Sequence, residues 1–101
     1  MSKMNNTEIV AQIVNDLLCW GNRSTSDAER AVEGAKVVVD NDCCCCLVVK
    51  EGRADFYFRF PLSTGPKWGY KHSYRAPRRP SDAARYLRHG RESMKEWGWE
   101  V

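Results

Sequence analysis

Between Ile9 and Leu18 the chain places apolar residues at Ile9, Val10, Ile13, Val14, Leu17 and Leu18, the spacing that gathers one apolar stripe on a helix. Asn5 followed by Glu8 has capping-box spacing at its start, and Gly21 stands where a C-terminal cap belongs. A second helix is predicted from Ser26, with Glu29 completing a box and Ala28, Ala31, Val32, Ala35, Val38 and Val39 as its stripe. The run Val37-Val38-Val39 keeps an alternative open, because three β-branched residues after Gly34 also suit a strand. The helix is the preferred reading.

From Cys43 onward the period changes to two. With Glu51-Gly52 as a two-residue turn, Lys50 pairs with Arg53, Leu47 faces Phe56, Cys45 faces Phe58 and Cys43 faces Phe60. That face is wholly apolar. The opposite face sets Cys44, Cys46, Val48 and Lys50 against Arg59, Tyr57, Asp55 and Arg53, a mixed and partly basic surface. A third strand is predicted in KWGYKHSYR, with Trp68, Tyr70, His72 and Tyr74 on one side and Lys67, Lys71, Ser73 and Arg75 on the other. If its aromatic side continues the phenylalanine face, the sheet has one greasy and one basic side.

A last helix is predicted from Ser81, with Ala83, Leu87, Gly90, Met94 and Trp97 as its buried stripe. Gly90 weakens its middle by about 1 kcal/mol relative to Ala. The expected fold is α+β: two N-terminal helices, a three-stranded antiparallel β-meander and a C-terminal helix (ααβββα), with the helices on one face. Helix, meander and helix in this order resemble the layout of double-stranded-RNA-binding domains, but their helix-opening Lys-Lys-x-Ala-Lys signature is absent from RRPSDAARYLRHG. The resemblance is one of layout alone, and layout does not assign function.

The 101 residues suffice for one core, so a single domain spanning 1–101 is expected. With 43% hydrophobic and 29% charged residues, the composition is that of a folded globular chain. Polar residues interrupt the N-terminal apolar stretch every few positions, which argues against a signal peptide or a spanning helix and for a cytoplasmic protein. The net charge of +3 is unevenly spread: residues 1–55 hold six Lys/Arg against nine Asp/Glu, and residues 56–101 hold ten against four. A basic C-terminal half raises the expectation of a polyanionic partner.

Cys43 to Cys46 form one clump, whereas a structural zinc site draws its ligands from separated pairs. Neighbours on a strand point to opposite faces, so Cys44 and Cys46 separate from Cys43 and Cys45. Cys44 and Cys46 would lie about 6.6 Å apart along an extended strand, at the limit of disulfide geometry. Cysteine is therefore expected to act as a small apolar residue, with Cys43 and Cys45 beneath the phenylalanines. No metal or cofactor is expected. His72 and His89 lack a nucleophile and acid partner, so no catalytic role is assigned.

The candidate binding set is Tyr57, Arg59, Lys67, Lys71, Arg75, Arg78, Arg79, Arg85 and Arg88, with Tyr74 interleaved. Cations neutralise phosphates and aromatic rings stack on bases, so the combination suits nucleic acid. Arg78-Arg79, between two prolines, is its sharpest element, and suits carboxylates on a protein equally well. In the tail, Trp97 fits the buried stripe, whereas Trp99 falls beyond it and is a candidate anchor for a partner. The leading expectation is a non-enzymatic module that engages nucleic acid. The alternative is a small inhibitor or adaptor, of the kind phages and mobile elements carry, docking on a nucleic-acid-handling or defence complex.

Overall fold

The computed structural model of the chain describes residues 5–19, 25–39 and 44–99. Helices α1 (Asn6–Cys19) and α2 (Thr25–Val32) lead into strands β1 (Lys36–Val39), β2 (Cys45–Lys50), β3 (Arg53–Leu62) and β4 (Gly65–Arg75), and helix α3 (Pro80–Glu96) follows. The strands form one antiparallel sheet in the order β1-β2-β3-β4. The protein is thus α+β as expected, with four strands in place of three.

The added strand is the Val37-Val38-Val39 run. α2 ends at Val32, and Lys36–Val39 pairs with Val49–Cys46 of β2. Pairing with β2 buries Val37 beneath α1 and α2, a gain for β-branched side chains that an extension of α2 would forgo. α2 also begins at Thr25, one residue before the predicted start. α1 begins as its capping signal implies, with the Glu8 N–H donating to Asn5 Oδ1 at 2.8 Å. The predicted cap at Gly21 and the Cys43–Phe60 pair lie outside the described residues.

The β2–β3 hairpin has the expected register, from Lys50 opposite Arg53 to Cys45 opposite Phe58. Gly52 takes φ 86° at the turn, a conformation that favours glycine. The β3–β4 pair departs from simple alternation. Tyr57 lies opposite Tyr70 but Phe56 lies opposite His72, so Lys71 is an extra residue in β4. This bulge sends Trp68 and Tyr70 to one face and His72 and Tyr74 to the other. The expected single aromatic side of β4 is therefore split in two.

Helices cover both faces of the sheet, not one. On the first face, Ile9, Ile13 and Leu17 of α1 and Ala28 and Val32 of α2 pack on Val37, Cys46, Val48, Tyr57 and Trp68. On the second, Ala83, Leu87 and Met94 of α3 pack on Cys45, Leu47, Ala54, Phe56 and Phe58. Fully buried aliphatic and aromatic side chains contribute about 1.5–3 kcal/mol each, so both layers are strongly held. Two separate apolar stripes on the sheet require two covering layers, which the one-sided reading did not provide.

Gly90 lies on the inner side of α3, where any Cβ would run into the ring of Phe56. What reads in sequence as a weak point of the helix is the gap that seats it. At the C-terminus Trp97 caps α3, with Gly98 N–H bonded to Lys95 O at 2.9 Å and Trp99 N–H to Met94 O at 3.1 Å. These two bonds form a Schellman motif around Gly98, whose φ is 94°. The turn folds Trp99 back and leaves Trp97 outside, reversing the roles expected for the two tryptophans.

Candidate functional site

The surface predicted to be open and basic is closed by α1 and α2. Tyr57 is 2% exposed and Cys46 fully buried, so neither meets a partner from solution. Tyr57 belongs to the core and leaves the candidate set as a contact residue. Asp55 is also buried there, accepting a hydrogen bond from Ser73 Oγ at 2.8 Å and an ion pair from Arg53 at 3.3 Å. At the β4 edge, Asp16 of α1 accepts the Trp68 backbone N–H at 2.8 Å, and Gln12 accepts the indole N–H at 3.2 Å. α1 thereby satisfies a backbone donor that an edge strand would otherwise leave exposed.

The predicted basic set separates into three places. Half-buried Arg59 lies opposite Trp68, and exposed Arg75 opposite Arg53, both in register on the α1/α2 side. Lys67 lies opposite Phe60 in β3, and Lys71, at the bulge, stands beside Trp97 at the C-terminal end of α3. Arg78, Arg79, Arg85 and Arg88 belong to the start and outer side of α3. The structure does not bring all of these into one patch.

What it does assemble is a groove between α3 and the edge strand β1. One lobe, about 390 Å³, is walled by Lys36, Arg78 and Arg79 over a floor of Val38, Val49 and Ala83. The next, about 600 Å³, is walled by Arg88, Arg91, Lys95 and Glu92 beside Val39 and Leu87. The two lobes share no lining residue; they follow one another along α3, the first reaching Ala83 and the second running from Ala84 to Lys95, and together make an interrupted basic channel. Six cations and one carboxylate line it. Lys36, Arg91 and Lys95 were absent from the predicted set. The 84, 88, 91, 95 spacing along one helical face is the signal that finds two of them, whereas Lys36 was hidden by assigning its segment to a helix.

Asp82 fixes the start of α3. Its carboxylate accepts the backbone N–H groups of Arg78 at 3.0 Å and Arg79 at 3.3 Å, and pairs with Arg85 at 3.3 Å. The Arg78 N–H chiefly holds its pKa below the ordinary carboxylate value against the opposing effect of burial, with the Arg79 N–H and the guanidiniums of Arg79 and Arg85 adding to it. Pro80 at the first helical position completes a rigid entry. Arg78 and Arg79 are thus presented from a fixed backbone, while part of the charge on Arg85 is spent on Asp82.

The other flank of α3, toward β4, is aromatic. Tyr74 and Tyr86 stack with centroids 4.5 Å apart, and Tyr74 Oη bonds His89 Nδ1 at 2.7 Å. Burial, then the neighbouring Tyr86, pushes the Tyr74 pKa up. His72 packs edge-on against Tyr74. Further along, the Lys71 ammonium lies over the Trp97 ring, 2.8 Å from its centroid, and Trp97 is 66% exposed. Trp99, half-buried, packs on Phe60 and Phe58 at 5.1 and 6.1 Å between centroids. Its expected role as an exposed anchor passes to Trp97.

Cys45 and Cys46 point to opposite faces as strand geometry requires, each fully buried. Burial pushes the Cys46 thiol far up, so it stays protonated and unreactive. Cys44 precedes β2 and packs, half-buried, with the α3-side core rather than with Cys46. Cys46 is a free thiol. Among the described residues no group of three or more His, Cys, Asp or Glu side chains is arranged to hold a metal ion. Among them, too, no helix is long and apolar enough to cross a membrane. Compared with known proteins, the chain matches no family model, no curated protein and no solved structure.

Proposed function

We propose that the protein is a non-enzymatic module that holds nucleic acid by its phosphate backbone in the groove between α3 and β1. The observation that carries this reading is the alignment of Lys36, Arg78, Arg79, Arg88, Arg91 and Lys95 along this interrupted channel. α3 has 17 residues and so a length of about 25 Å, enough for several consecutive phosphates. Glu92, the one carboxylate in the lining, repels phosphate, so the backbone is held by the cations on either side of it.

The test is a titration of labelled single-stranded and duplex oligonucleotides, DNA and RNA, at several salt concentrations. Affinity should fall steeply with salt, and each cation removed should lower the log–log slope by about 0.7–0.9. Arg88→Ala with Lys95→Ala should weaken every sequence alike. Absence of binding to any oligonucleotide at low salt would overturn the reading.

A protein partner is the second reading, because the groove has an apolar floor of Val38, Val49 and Ala83 beside the edge strand β1. An acidic extended segment could add to β1 and pair its carboxylates with the arginines. Such a complex, of the kind an inhibitor or adaptor would form, should survive nuclease treatment in a pull-down.

A further inference from the structure

We infer that Trp97 and Tyr70 form a base-stacking platform at the C-terminal end of α3, so that the nucleic acid taken up is an unpaired strand. The inference rests on the nucleic-acid reading above and deepens it. Tyr70 and Trp97 are the large apolar side chains that stand exposed among the described residues, at 46% and 66%. Both line one open groove of about 560 Å³, floored by Phe60, Leu62 and Trp99 and crossing β4 at Gly69. Exposed aromatic rings over an apolar floor invite a flat apolar ligand.

Charge decides what kind. Among the described residues the one fully charged group lining this groove is Lys71, an ammonium above the Trp97 ring, and no carboxylate among them lines it. A nucleotide matches both parts: its base stacks on the free side of the indole and its phosphate meets the lysine. The two rings are held ready, Tyr70 by edge-on contact with Tyr57 at 5.8 Å between centroids and Trp97 by its place as the cap of α3. Lys95, at the end of the basic channel, and Trp97 are two residues apart and project from nearly opposite sides of α3, so a strand that meets both passes over the C-terminal end of the helix. Bases paired in a duplex have their faces already stacked and cannot use such a platform.

The experiment measures affinity for an oligothymidylate, an oligouridylate and a mixed-sequence duplex, with tryptophan fluorescence as a second readout. Single strands should bind more tightly than the duplex and quench the fluorescence. Trp97→Ala should weaken single-strand binding about five- to a hundredfold, abolish most of the quenching and leave duplex binding unchanged. Trp97→Phe should restore part of the loss, and an unchanged melting temperature would show that the exposed ring is not needed for folding. Equal affinity for single strand and duplex, with Trp97→Ala neutral, would overturn the platform while leaving the basic channel standing. Loss of all oligonucleotide binding would overturn both.

Discussion

α3 has two flanks built from opposite materials. Toward β1 it offers a channel of cations with a thin apolar floor; toward β4 it offers stacked rings, imidazoles and a tight seat on Phe56. On the first flank Lys36, Arg78, Arg79, Arg88 and Lys95 are exposed. The second seats Gly90 against the Phe56 ring, where a methyl group would collide, beside a small cavity of about 160 Å³ bounded by His72, Tyr74 and Ser93. Packing and the proposed binding thus fall on different sides of one helix, and substitutions can separate them.

The largest effect belongs to the packed flank. Phe56→Ala removes the ring on which Gly90 rests and should cost about 3–5 kcal/mol, read by thermal or denaturant unfolding. Next, Gly90→Ala should destabilise by about 1–3 kcal/mol through overpacking, although in an open helix the same change would gain about 1 kcal/mol. A raised melting temperature in that variant would mean that α3 is free to shift, and the contrast between flanks would fail.

Acid provides a smaller and more local probe. Because the Asp82 pKa is lowered in the folded chain, its contribution is present above the unfolded value, about 3.9, and is lost as pH falls through the folded one. Unfolding followed below about pH 4 should be less steep in Asp82→Asn than in the parent chain. The smallest expected change is on the basic flank. Arg88→Ala with Lys95→Ala should move stability by no more than about 0.5 kcal/mol per site, while removing much of the oligonucleotide affinity. A large loss of stability there would show that the channel is part of the packing.

Much of the fold was legible because local chemistry agreed with pairing. Asn5 and Glu8 marked α1, and the Glu51-Gly52 turn set the β2–β3 register through to Cys45 and Phe58. β1 was obscured because Val38 and Val39 continue a helical stripe and also suit a strand; only the presence of β2 as a neighbour decides between them. The site was less legible than the fold. Arg53, Asp55, Tyr57 and Arg59 look like a surface when read by residue type, yet Ser73 and Arg53 satisfy Asp55 and α1 covers Tyr57. Ser73 and α1 are distant in sequence and leave no local trace. The exchange between Trp97 and Trp99 depended on Gly98, whose position just past the helix was a signal that periodicity alone does not weigh.

The bulge at Lys71 gives β4 a second phase. Above it His72 and Tyr74 serve α3; below it Trp68 serves α1. Deleting that one residue would force one half of the strand to exchange faces, and moving it along the strand would reassign the rings one at a time. The length of the chain within β4, as well as residue type, therefore sets which of its aromatic side chains are interior and which face solvent.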